Sequence, residues 1–311
     1  MFPAFFVCTK SEVQRVLALE KRFIDKLKTY LIFAGPTTLA FLTVIILPFL
    51  FGIYLTFTNW DGIAKAYDFV GFSNYVTVFR DDAFWRSFLL TVKYVAYTVV
   101  IVNTLGFILA YILTGDQVPG QNLLRTGFFV PNLIGGIILG LVWRFIFSNI
   151  LVFIGRQLNI SFLSYSWLTN PDKVLWTLVI VSVWQYSGYM MIIFIAGLVN
   201  IPKDLIEAAR IDGANGFQRL RMLILPLMVP SFIVTVFLTI QRGFMVYDVN
   251  LALTQGGPFK TSELISMHVY EKAFLAQQYG VGQSQAFFLF LLVAAISVTQ
   301  VYFSKKLEVE A

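Results

Sequence analysis

The sequence predicts an all-α integral membrane protein: six transmembrane helices, with one short charged helix on the cytoplasmic side between the fourth and fifth. Three observations carry this. The 311 residues are 58% hydrophobic and only 13% charged, roughly half the charged fraction of about a quarter found in soluble domains. Mean hydropathy is +0.76. Six apolar runs reach the length of about eighteen residues or more that lets a helix cross a bilayer. The 32 Phe and 14 Tyr suit lipid-facing surface and interfacial belts.

Residues 1–29 precede the first run. The opening "MFPAFFVCTK" is apolar, yet too short for a signal-peptide core and without a basic start. Cys8 has no lipoprotein-like surroundings, so no lipid anchor is expected. Val13, Val16, Leu17, Ile24 and Leu27 then recur near helical spacing with basic residues opposite. That pattern predicts an amphipathic helix lying on the inner leaflet, with a basic disordered tail as the alternative. The membrane domain follows over 30–304, with spans at 30–58, 89–113, 126–148, 174–199, 222–247 and 281–303, and residues 305–311 form a tail. The third run carries Gly135, Gly136 and Gly140, of the kind that lets membrane helices approach closely.

Lys and Arg set the orientation. With both termini cytoplasmic, the inside holds the basic N-terminal residues together with Arg125, Lys203, Arg210, Arg219, Arg221, Lys305 and Lys306. The outside holds only Lys65, Arg80, Arg86, Arg156, Lys260 and Lys272. The +6 net charge belongs to this bias rather than to a nucleic-acid partner.

Composition also excludes function classes. One Cys and one His rule out a disulfide framework, a metal cluster and a Cys/His catalytic pair, so neither a catalytic nor a metal site is expected. No Gly-rich phosphate loop occurs, so the chain does not hydrolyse ATP and binds no cofactor itself. An ion-coupled carrier places Asp, Glu or His inside its spans. Here no acidic residue falls within a span before Asp248, at the outer end of the fifth. His268 falls in an outer loop, where a solvated or partner-facing side chain is expected.

The segment at about 201–222 breaks the pattern. Pro202 suits a helix start, and "KDLIEAARI" forms a short helix with Leu205, Ile206 and Ala209 on one side. "DGANG" then breaks it, because glycine permits the positive φ of a reversal, and Asn215 caps the next helix. The product is a small cytoplasmic helix–turn–helix knob suited to a cleft on a soluble partner.

The stretch "EAARIDGANGFQRLRMLILPLMVP" resembles the EAA signature of permeases of ATP-binding-cassette importers. Glu207, Ala208, Ala209, Asp212, Gly213, Ala214, Ile224, Leu225, Pro226 and Pro230 meet its pattern. "FVGFSNYVTVF", "DDAFWRSF" and "YDVNLALTQGGPFKTSE" look like the carbohydrate branch, the maltose and multiple-sugar permeases. The resemblance runs from about Tyr30 to the C-terminus. It implies a bacterial cytoplasmic-membrane subunit that pairs with a second permease, two cytoplasmic ATPases and an extracytoplasmic binding protein. ATP and Mg would be bound by the ATPases. Glu207 would pair with a basic group on an ATPase, Ala208 and Ala209 would pack there, and Gly213 would keep the turn tight.

The resemblance also carries substrate contacts onto Ser182, Gln185, Tyr186, Tyr189, Arg242, Gly243 and Val246. Only Tyr189 keeps the identity expected of a maltose site. An oligosaccharide is the expected substrate; another polar solute, such as glycerol phosphate or an amino acid, is the alternative. Arg242 lies inside a span, where a charge costs about 2.5–3.5 kcal/mol on insertion scales. It would contact an anionic or heavily hydroxylated saccharide, or pair structurally with Asp248 or the second permease.

Overall fold

The computed structural model describes residues 25–26, 28–115 and 119–307. The expectations for Cys8, for most of the amphipathic N-terminal segment and for the last residues of the tail lie outside the described residues. Helices account for the architecture; among the described residues the extended pairing is one isolated antiparallel bridge between Thr58 and Phe69.

In chain order the helices are α1 (Gly35–Leu55), α2 (Ser73–Arg80), α3 (Asp82–Thr114), α4 (Gln121–Phe129), α5 (Gly136–Gln157) and α6 (Val174–Val199). They continue with α7 (Lys203–Ile211), α8 (Gly216–Leu227), α9 (Val229–Phe244), α10 (Asp248–Leu253), α11 (Ile265–Tyr270) and α12 (Tyr279–Leu307). Among the described residues, length and composition suit α1, α3, α5, α6 and the apolar part of α12 to crossing a membrane, five helices, or six if α8 and α9 together form one span.

The α8–α9 pair is bent by 67°. Its cause is local: Pro226 in the last turn of α8 and Pro230 in the first turn of α9 flank Met228, and each lacks an N–H and crowds the carbonyl four residues earlier. A π-turn at Leu220–Ile224 precedes the bend.

The third run departs from its expected bounds. Instead of one helix over 126–148, α4 ends at Phe129, a 3-10 turn follows at Val130–Leu133, and α5 begins at Gly136 after Gly135 has turned extended (φ −61°, ψ 142°). Pro131 opens the break. Apolar composition runs unbroken across it, so hydropathy alone carries no sign of the interruption. The second run also begins earlier than expected, because Asp81 caps α3 by accepting from the amides of Ala83 and Phe84 at 3.0 and 3.3 Å.

The bundle centres on α6. Within its apolar window 61% is buried, against 11% for α1, so α6 is enclosed by protein while α1 turns most of its surface outward. Helices α3 and α6 form the most extensive pair and run parallel: Tyr94 meets Ser182, and Gly106 meets Met190 further along. Helix α9 packs on α3, where Asn103 donates to the Thr239 hydroxyl at 3.3 Å. Polar bonds between apolar helices specify register where lipid offers no hydrophobic drive to sort them. Two cores result, one around Phe84, Tyr94, Leu178 and Leu264, the other around Val102, Met190, Phe194 and Met228.

Gly136 and Gly140, one turn apart on α5, seat α10. A Cβ on Gly140 would lie 2.5 Å from the Ala252 Cβ and 3.1 Å from the Leu253 amide nitrogen. A Cβ on Gly136 would lie 2.7 Å from the Asp248 Cβ. These glycines let two backbones touch, the use membrane helices make of small residues four apart.

Candidate functional site

The segment between α6 and α9 folds as a projecting knob. Asp204 in the first turn of α7 and Arg210 in its last complement the helix dipole. None of the residues from Lys203 to Ile211 is buried. Ile206 packs half-buried against the core, whereas Leu205 is 41% exposed and Ile211 86% exposed. Leu205 and Ala209, one turn apart, share a face of α7, with Ile206 and Ala209 the more covered and Leu205 the more exposed. Glu207, Ala208 and Asp212 are also exposed.

The turn closes as the residues dictate. The Asp212 and Ala214 amides donate to the Ala208 and Ala209 carbonyls, each at 2.9 Å. Gly213 takes φ +79°, the left-handed conformation that glycine adopts without strain. Asn215 caps α8, accepting from the Gln218 amide at 2.9 Å while Gln218 Oε1 accepts from the Asn215 amide at 2.8 Å. Arg219 Nη1 donates to the Ala214 carbonyl at 2.9 Å and braces the turn from the other side.

A second cluster forms at the middle of α6, where Tyr186 and Tyr189 lie. Arg242, in the last turn of α9, lays its guanidinium carbon 4.9 Å from the Tyr186 ring centroid and 4.6 Å from that of Tyr189. Its Nη1 donates to Asn132 Oδ1 at 2.8 Å. Among the described residues Arg242 makes no ion pair with Asp248, which is exposed. Two aromatic faces and an amide oxygen hold the cation instead, each cation–π contact contributing on the order of 0.5–2 kcal/mol according to desolvation.

Asn132 comes from the break between α4 and α5, where no periodic signal marks it. The same break receives Gln185, whose Nε2 donates to the Ile134 carbonyl at 3.2 Å. Gln185 Oε1 is buried without a hydrogen-bond partner. Of the other expected contacts, Ser182 is buried and shares a 2.5 Å hydrogen bond with the Tyr94 hydroxyl. Gly243 packs against Val95, where a Cβ would lie 2.8 Å from Cγ2, and Val246 is buried in the core. The structure thus brings Gln185, Tyr186, Tyr189 and Arg242 to one cluster and places Ser182, Gly243 and Val246 in the packing around it.

At the end of the bundle opposite α7, charges gather where α3 begins. His268 is only 6% exposed, not solvated as its loop position implied. Its Nδ1 lies 2.8 Å from Glu263 Oε1, and Glu263 is 2% exposed. Lys260 Nζ bridges Glu263 and Glu271 at 2.9 and 3.0 Å, and Lys272 reaches Asp81 at 3.2 Å. Burial alone would raise the Glu263 carboxyl, but His268 and Lys260 outweigh it and hold the group below its usual range. Asp81 behaves likewise: burial opposes ionisation, while Lys272 and the Phe84 and Ala83 amides prevail. Lys260 stays exposed while Glu263, His268 and Asp81 are covered, and the Lys272–Asp81 pair ties the 254–278 loop to the α3 cap. Among the described residues no group of three or more His, Cys, Asp or Glu side chains is arranged to hold a metal ion.

Known proteins resemble this chain in sequence and in fold. The chain is 43% identical over 295 residues to the probable starch degradation products transport system permease protein AmyD of Thermoanaerobacterium thermosulfurigenes, covering 94% of this chain and all of that one. It is 32% identical to the multiple sugar-binding transport system permease protein MsmF of Streptococcus mutans, over 84% of this chain and 90% of that one. In fold it resembles a bacterial ABC transporter involved in import of the acidic polysaccharide alginate, with TM-score 0.79 at 20% identity, over 92% of this chain and 99% of that one. The family model described as "binding-protein-dependent transport system inner membrane component" matches residues 102–309, a stretch that contains both the knob and the mid-bundle cluster. The chain therefore belongs to the binding-protein-dependent transport system inner membrane component family, the permease subunits of ABC importers.

Proposed function

We propose that the chain is the permease subunit of an importer for a neutral oligosaccharide, of the kind named in its starch-product relative. It crosses the bacterial cytoplasmic membrane six times, α8 and α9 together forming the fifth crossing, with both termini and the α7 knob in the cytoplasm. A second permease completes the pathway, an extracytoplasmic binding protein delivers the saccharide, and two cytoplasmic ATPases bind ATP and Mg. This chain supplies no cofactor site.

One observation carries the reading. The α7–turn–α8 knob meets every position of the importer signature and leaves Leu205 and Ile211 uncovered by its own chain. Apolar side chains on a charged, projecting helix suit a partner cleft. Glu207, Ala208, Ala209, Asp212, Gly213 and Ala214 form the gripped surface, so closure of the ATPases moves α7 and, through α6 and α8, the bundle. The mid-bundle cluster lies where one apolar run is interrupted and another helix ends, the setting in which transporters place polar substrate groups. Gln185, Tyr186, Tyr189 and Arg242 supply contacts there, and Ser182, Gly243 and Val246 support them against α3.

Arg242 has no carboxylate partner among the described residues, which favours a second reading: an anionic solute such as glycerol phosphate. Uptake by the assembled transporter in proteoliposomes, against a panel of maltooligosaccharides, uronate-ended oligosaccharides and glycerol phosphate, separates the two. Saturable uptake confined to neutral saccharides supports the first; uptake confined to anions replaces it with the second.

A further inference from the structure

We propose that Asn132 is a positioning residue: it holds the Arg242 guanidinium across the rings of Tyr186 and Tyr189, so that a saccharide is engaged through its oxygens rather than by stacking on those rings. The proposal rests on reading the mid-bundle cluster as the saccharide passage.

The geometry narrows what the cluster can do. With its central carbon 4.6 and 4.9 Å from the two ring centroids, the guanidinium occupies the ring faces that the C–H face of a sugar would otherwise cover. Guanidinium carries five N–H donors in a rigid plane. Among the described residues the one hydrogen bond it makes goes to Asn132 Oδ1, at 2.8 Å. The remaining donors stay available to hydroxyl or carboxyl oxygens at the edge of the stack.

The partner is also chemically specific. A carboxylate there would hold the guanidinium in the same direction but offset its charge, which bears on an anionic ligand more than on a neutral one, whereas an amide oxygen fixes its direction and leaves its charge. Asn132 can do this because the Pro131 break ends α4 and frees the segment from helical register. Two residues on, the Ile134 carbonyl anchors Gln185, whose buried Oε1 has no partner and lies one turn from Tyr189 on the same face of α6. The break thus fixes both the Arg242 guanidinium and the Gln185 side chain. Neither Asn132 nor the break is apparent from the apolar run that contains them.

The test uses the complete transporter in proteoliposomes with its binding protein and a labelled maltooligosaccharide. Asn132→Ala is expected to raise KM about tenfold, with Vmax changed far less, as loss of one hydrogen bond to a charged group predicts. Asn132→Asp keeps the acceptor oxygen and is expected to hold KM for the neutral probe within about threefold. A wild-type KM in Asn132→Ala, or equal rises in both variants, overturns the proposal. If Asn132→Ala does not assemble, Asn132→Asp decides alone, and a tenfold rise in its KM overturns it. Absence of uptake by the unmodified transporter overturns the passage reading itself. Uptake that is indifferent to Asn132 overturns only the positioning role.

Discussion

Replacing Gly140 with Ala adds one methyl group where α5 meets α10. That methyl would lie 2.5 Å from the Ala252 Cβ, 3.1 Å from the Leu253 nitrogen and 3.2 Å from the Val249 carbonyl oxygen. Carbon atoms pack best at about 3.5–4.0 Å, so α10 must retreat by roughly 1 Å. Two of the three neighbours are backbone, which cannot swing aside as a side-chain end can. The cost therefore falls in the upper part of the range for overpacking, about 2–3 kcal/mol. It also reaches the site, because α10 follows closely on Arg242 while Asn132 precedes α5. The assay is thermal unfolding of the purified chain in detergent, followed by size-exclusion of the surviving monodisperse fraction. At about 2–4 °C per kcal/mol the midpoint should drop by on the order of 5 °C. Gly127→Ala, in α4, is the control: its Cβ would meet nothing within 4 Å, so the midpoint should stay or rise slightly. Equal midpoints for the two variants would refute the argument that backbone contact at Gly140 seats α10.

Three further outcomes are expected. Gly213→Val puts a β-branched residue at φ +79° in open space, so strain of about 1–2 kcal/mol falls on the turn alone; ATPase co-purification should fall while the bundle melts as before. Ile211→Asp changes a side chain that is 86% exposed, so stability should move by less than about 0.5 kcal/mol while binding of the ATPase is lost, as read by pull-down. The Glu263 and Asp81 carboxyls are held below their usual range, so their stabilisation is complete above the unfolded value of about 4 and disappears as pH falls through the lower folded values. Hydrogen-exchange protection in the 254–278 loop, corrected for the intrinsic exchange rate at each pH, should be flat from about pH 8 to 5 and fall below about pH 4, and a loop equally protected in acid would contradict this.

Much of this was legible because membrane folding leaves coarse signatures. Long apolar runs located the long apolar helices, and Gly213 and Asn215 marked the turn of the knob through their own backbone chemistry. What stayed hidden depended on tertiary neighbours. Hydropathy averages over Pro131, so the third run read as one helix and nothing set Asn132 apart. Arg242 showed its charge but not its partners, since two tyrosine rings and an amide from a distant segment leave no spacing rule. His268 read as a solvated or partner-facing loop residue because its burial, with that of Glu263, follows from how α3, α11 and α12 meet. Ser182 and Gly243 looked like contacts by position, yet α3 takes them into its packing through Tyr94 and Val95.

The most direct test asks what drives uptake. In proteoliposomes holding the complete transporter, with binding protein and labelled saccharide on one face, accumulation should require ATP on the face where α7 projects and should ignore collapse of proton and sodium gradients. Accumulation that persisted without ATP and followed an ion gradient would contradict the claim that an ATPase moves this chain by gripping α7.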